Sequence, residues 1–177
     1  MSNTQHYVIT GTGPDQVGLV SRLTRVLTDL GANVEESRMA RLGGEFSIIL
    51  LISLPEDKSK KLQPALEKIP LEFHIKMTTP DVTEEYTGYV PYEILVTGAD
   101  HEGIIHSVSD YLSKKKINIV SLETEVIPAP VTGTPMFTMH ILIHAPATQQ
   151  LSALRRELAR IGDELGTDIE VRIPVNK

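Results

Sequence analysis

The side chains and loops that could do chemistry are few. No cysteine occurs in the 177 residues, which excludes thiolate metal sites, thiol nucleophiles and disulfides. Of the 6 histidines, His140 and His144 share one strand face. A rise near 3.3 Å per residue sets their Cα atoms about 13 Å apart, too far for one metal ion to take both unaided. His101 and His106 are five apart and read as lying on one helix, pointing to different sides. Neither a His-x-x-x-His pair on a helix nor a Gly-x-Ser-x-Gly elbow occurs. Metal or hydrolytic chemistry is not expected, and no cofactor is implied.

The loop Gly11-Thr12-Gly13-Pro14-Asp15-Gln16-Val17-Gly18 is more informative, because it links a strand to a helix. Gly13 to Gly18 has the spacing of a phosphate loop. Leu19 and Val20, however, stand where its lysine and hydroxyl residue must be. The dinucleotide fingerprint fails as well, since Gln16 occupies the place of its third glycine. What remains is a site for one small anion. Free backbone N–H groups at a helix start, together with the helix dipole, suit a single carboxylate.

That loop occurs twice. Tyr7-Val8-Ile9 matches Tyr92-Glu93-Ile94, and Asp15-Gln16-Val17-Gly18 matches Asp100-His101-Glu102-Gly103, both at an offset of 85 residues. Asn33-Val34 falls on Asn118-Ile119 at the same offset, whereas Phe46, Ile48, Leu50 and Ile52 match Phe137, Met139, Ile141 and Ile143 at 91. The difference falls in the Pro- and Gly-rich segment Pro128 to Pro135, a longer loop in the second copy. The chain is therefore a duplication. Its expected parts are residues 1–80, an acidic turn-rich linker over 81–90, and residues 91–177.

Each copy predicts the same elements. A strand (about 6–12, and 91–98) runs into the loop. Leu19, Val20, Leu23, Val26 and Leu27 then mark one stripe of a helix. Gly31 is a natural helix stop. Its counterpart is Lys116, in a Lys114-Lys115-Lys116 run that favours the negative end of a helix dipole and reads as a solvated helix end. Strands over 33–42 and 45–54 flank Gly43-Gly44, a dipeptide suited to a two-residue hairpin. A helix over 58–69, with Leu62, Leu66 and Ile69 inward, and a strand over 72–79 close the first copy. In the second copy a helix over 149–165 and a strand over 168–173 do the same. The order β-α-β-β-α-β, twice, gives an α+β protein of two ferredoxin-like units, each an antiparallel sheet with both helices on one face. Units of this size are marginal alone, and the two are expected to pack together. Ile49 and Leu51, on the face opposite the helices, need cover from a partner surface or a loop.

These residues carry a resemblance. A β-α-β-β-α-β unit whose first loop reads Asp-x-x-Gly-(Leu/Ile), with Asn opening the second strand fifteen residues later, resembles the ACT domain. The resemblance covers nearly the whole chain, twice. The run from Asn33 through Arg38 and Arg41 to Phe46 resembles the glycine cleavage system transcriptional repressor family, tandem ACT chains without a DNA-binding domain. The resemblance implies regulatory modules that pack side by side in a continuous sheet and bind an amino acid where they meet. Transferred here, Asp15 to Gly18 would face Asn118, and Asp100 to Gly103 would face Asn33. The implied ligand set is Gly13, Asp15, Gln16, Gly18, Asn33, Asp100, His101, Gly103 and Asn118. Asparagine amides can donate to a ligand carboxylate and accept from its ammonium group. Asp15 and Asp100 read equally as helix caps or loop closures, and the asparagines as plain turn residues. Val17 and Glu102 replace a proline common in this loop, and Glu102 adds negative charge where a carboxylate would sit.

The expectation is a non-enzymatic regulator that senses a small amino acid, such as glycine, and modulates a partner protein, a transcription factor. The competing readings are an interaction module with vestigial pockets and a detached regulatory subunit of an amino-acid enzyme. A small enzyme using His101 and Asp100 lacks a convergent acid–base constellation. A net charge of −6 argues against gripping nucleic acid directly. No apolar run approaches a membrane span and no secretory signal opens the chain, so a cytoplasmic homo-oligomer is expected.

Overall fold

Alternation of apolar residues at every second position sets up each sheet. In the computed structural model, whose described residues are 4–78, 88–129 and 133–174, the first unit runs β1 (Thr4–Pro14), α1 (Leu19–Asp29), β2 (Asn33–Leu42), β3 (Glu45–Pro55), α2 (Ser59–Leu66) and β4 (Glu72–Thr78). The second runs β5 (Tyr89–Ala99), α3 (Ile104–Lys114), β6 (Asn118–Pro128), β7 (Pro135–Pro146), α4 (Leu151–Leu165) and β8 (Thr167–Arg172). The sheet orders are β2-β3-β1-β4 and β6-β7-β5-β8, with antiparallel neighbours throughout. Both units are the expected β-α-β-β-α-β arrangement. The chain divides between them at Thr83 and Glu84. Of the expected linker, residues 81–87 lie outside the described residues, while Tyr89 and Val90 already belong to β5.

Each unit has its own core. In the first, Phe46, Ile48, Leu50 and Ile52 of β3 meet Leu19, Leu23 and Leu27 of α1 and Leu62 and Leu66 of α2. In the second, Phe137, Met139, Ile141 and Ile143 meet Ile104, Val108, Leu112, Leu154 and Leu158. Each fully buried Leu or Ile stabilises by about 1.5–3 kcal/mol relative to exposure.

Three boundaries differ from the sequence expectation. The helix expected over 58–69 is a 3-10 turn, Glu56–Lys58, followed by α2 from Ser59 to Leu66. The later helix starts at Leu151, because Gln150 is extended and acts as its cap residue. His101 precedes α3 in the loop and does not share a helix with His106. Matching irregularities appear in β2, between Val34 and Glu36, and in β6, between Ile119 and Ser121. Each places one extra residue in the outer strand and re-aims the side chains beyond it.

The hairpin residues Gly43 and Gly44 take φ of 58° and 87°, as a two-residue turn with positive φ at both positions requires. Helix α1 ends in a Schellman motif: Gly31 (φ 73°) donates to Thr28 O and Ala32 to Leu27 O, both at 2.9 Å. Helix α3 ends the same way, with Lys116 (φ 57°) donating to Ser113 O and Ile117 to Leu112 O. A lysine thus holds the left-handed position, a conformation that costs a residue with a Cβ about 1–2 kcal/mol. Lys116→Gly relieves it at some cost in unfolded-state entropy, so a net gain of about 0.5–1 kcal/mol is expected. Urea unfolding followed at the second unit checks this, as a rise in midpoint at constant slope.

The face of the first sheet away from the helices carries apolar side chains. Ile49 is 46% exposed and Leu51 partly buried, beside Val8 and Thr10 of β1.

Candidate functional site

In the first unit β1 delivers the chain to the hairpin end of the sheet, with Gly13 opposite Phe46 and Pro14 opposite Glu45. The Asp15 N–H donates to Gly44 O at 2.9 Å. The Asp15 carboxylate accepts from Arg41 Nε on β2 at 2.5 Å, with Asp15 the less exposed partner. Asp15 therefore closes the loop onto the hairpin and does not cap α1. The cap position is Gly18, at φ 88° and ψ 4°, and no side chain caps the helix. With open space around the glycine, φ alone requires it. The Leu19 N–H donates to Gln16 O at 3.3 Å, and the amides of Val20 and Ser21 are left to face an anion from outside, beside the exposed Gln16. Gly13 also lines a shallow depression with Thr12, Pro14, Ile69 and Leu71.

The second loop is built differently. Gly103 repeats the uncapped left-handed start, at φ 94° and ψ −11°. Val126 stands where the first unit has Arg41, each opposite the conserved-in-register phenylalanine, Phe137 or Phe46. Asp100 thus lacks the arginine that partners Asp15, and its N–H donates to Pro135 O at 3.3 Å. His101 ties the loop to the far end of α4: Nδ1 lies 2.9 Å from Glu102 O and Nε2 2.6 Å from Leu165 O. Both contacts raise the His101 pKa above its ordinary value, the Glu102 carbonyl most, then Leu165, because only the imidazolium donates from both nitrogens.

This shift has a sign. Its contribution to stability is fully present below the unfolded value, about 6.5, and is lost as pH rises through the folded value. Above that, one of the two contacts loses its proton. Amide exchange near Leu165 and Gly166 is expected to quicken from slightly acid to mildly alkaline pH, beyond the base-catalysed trend of other helix ends. His101→Ala should remove the excess.

The expected ligand residues separate into two groups in each unit. Gly13, Asp15, Gln16 and Gly18 lie together at the hairpin end. Asn33 opens β2 opposite Ser53, at the other end of the sheet. Arg41 lies eight positions further along the strand, a span of about 26 Å. In the second unit Asp100, His101 and Gly103 lie together, and Asn118 starts β6 opposite His144. Neither unit brings its own loop to its own asparagine. Sequence reasoning gave Arg41 no role. The hairpin register could have revealed it, since a two-residue turn after Leu42 returns β2 beside the end of β1.

The fold and its loops define an ACT-domain protein. A family model of the ACT domain matches residues 5–79, and the first unit belongs to that family. Within it, the chain is similar to the glycine cleavage system transcriptional repressor of Escherichia coli strain K12: 25% identical over 174 residues, covering 97% of this chain and 92% of that protein. It is 32% identical over 75 residues to the UPF0237 protein MMP0657 of Methanococcus maripaludis, covering 41% of this chain and 83% of that one. A crystal structure of an unknown protein from Galdieria sulphuraria is 37% identical and covers 98% of this chain and 100% of its own, with a TM-score of 0.83. Among the described residues no helix is long and apolar enough to cross a membrane.

Proposed function

We propose that the protein is a non-enzymatic regulator that binds one small amino acid and passes that information to a partner protein. The observation that carries this reading is the first loop: an uncapped helix start, held by Gly18, in a loop whose carboxylate, Asp15, is ion-paired with Arg41. A ligand carboxylate meets N–H donors there without facing an unpaired charge. By resemblance to other ACT domains, an asparagine that opens a second strand, Asn33 or Asn118, joins the ligand set. The second loop carries Asp100 and Glu102 and no arginine in the place of Arg41, and it is the weaker site.

The relative's name points to glycine as the amino acid and to a transcription regulator as the partner. The chain's own charge of −6 supports action through that partner and not through DNA contact. A thermal-shift screen against the twenty amino acids tests the reading. One small amino acid at a hundred times its Kd should add about 2.7 kcal/mol of stability, while labelled duplex DNA at about 50 mM salt leaves anisotropy flat. No shift with any amino acid would point instead to an interaction module with vestigial pockets.

A further inference from the structure

One side chain fastens the second loop to the rest of its unit. His101 sits between two backbone carbonyls, with Nδ1 2.9 Å from Glu102 O and Nε2 2.6 Å from Leu165 O. Carbonyls only accept, so both ring nitrogens must donate, and an imidazole carries two N–H groups only when protonated. Leu165 is the last residue of α4, and its carbonyl lies at the negative end of that helix, where a cation is favoured. Gly166, in the left-handed conformation, then turns the chain into β8. The ionisable groups around the ring are Asp100 and Glu102 in its own loop, Asp163 and Glu164 in the last turn of α4, and Asp168 in β8. His106 of α3 and Arg160 of α4 line a groove that Leu165 also borders, and Arg160 is paired with Glu164. Asp100 acts on the ring directly and favours its charged form. Among the described residues the first unit has no such tie. Exposed Gln16 takes the place of His101, and the offset of 96 that relates β8 to β4 puts Ile69 in the place of Leu165. Ile69 and Gly13 there line a depression of about 520 Å³.

We infer that His101 is a proton-operated latch: as the imidazolium it clamps the second loop onto the end of α4, and as the neutral ring it lets the loop go. A neutral ring keeps one N–H and turns a lone pair toward the other carbonyl, so one of the two contacts must open. The contact that opens is the one to Leu165. Glu102 is the next residue, and its carbonyl stays beside the ring, whereas Leu165 is 64 positions away and is held near only by the fold. Both contacts favour the charged ring, which therefore keeps its proton to higher pH than a free histidine does. The latch is closed in acid and opens as pH rises through the folded-state value, a change near neutral pH. Opening frees Asp100 to Gly103, and with them the start of α3. The first loop, with Asp15 and Gln16, holds no group that titrates there. The tie forms without any ligand, so the latch stands whether or not an amino acid binds.

Two measurements on the full chain test the latch. Histidine-selective NMR should show His101 titrating at higher pH in the folded chain than in the same chain unfolded in urea. Amide exchange is then compared at Ser107 and Arg22, which donate the first helical bonds of α3 and α1, to Gly103 O and Gly18 O, both at 2.9 Å. Base catalysis speeds the two amides alike, so their ratio reports the difference between the loops. From about pH 5.5 to about pH 8.5 the ratio of Ser107 to Arg22 exchange should rise about three- to tenfold, the effect of losing one hydrogen bond, with its midpoint at the His101 titration. His101→Gln, which places the first loop's residue in the second, should keep wild-type circular dichroism and give a ratio that does not change with pH. A His101 that titrates no higher than in the unfolded chain would overturn the latch. So would a wild-type ratio that stays flat, or a rise that persists unchanged in His101→Gln.

Discussion

Replacing Asn118 with alanine is expected to weaken amino-acid binding ten- to hundredfold, whereas Asn33→Ala should leave most of it. The asymmetry comes from the loops, since the asparagines themselves are alike. Asp15 is engaged by Arg41, so the site built on the first loop offers donors with little opposing charge. The second loop has Val126 where Arg41 would be, and it adds Glu102. Losing a hydrogen-bonding amide to a charged ligand costs about 1.5–3 kcal/mol, which is the stated loss of affinity. Calorimetry should show one dominant site per chain in wild type. Equal losses in the two variants would make the sites equivalent and remove the argument from charge.

Leu23→Ala should have the largest effect on folding. Leu23 is 0% exposed at the centre of the first core. Truncating such a residue costs about 2–5 kcal/mol, a large fraction of the stability available to a unit of this size. Hydrogen exchange should show the amides of β1 and β3 losing protection while those of β5 and β7 keep theirs. Loss of protection in both units together would mean that they unfold as one.

Local signals carried most of the fold. Apolar spacing located α1 and α3, Gly43-Gly44 fixed the hairpin, and the repeated offsets made the second unit legible from the first. What escaped depends on contacts distant in sequence. The matching bulges in β2 and β6 leave no mark in composition, because every residue from Asn33 to Leu42 is exposed and no burial pattern records the shift. The Schellman end of α3 was hidden by a lysine at a position that usually selects glycine. The loop chemistry was half visible. Gly18 and Gly103 announced themselves, but the Arg41 pair and the His101 tie to Leu165 span 26 and 64 positions. Both bear on the charge an incoming carboxylate would meet.

Equilibrium dialysis of the intact chain against an equimolar mixture of the twenty amino acids, with mass spectrometry of the retained fraction, tests amino-acid sensing most directly. Enrichment of one small amino acid approaching one per chain is expected, with its loss in Asn118→Ala. A protein compartment no richer in any amino acid than the surrounding buffer would contradict it.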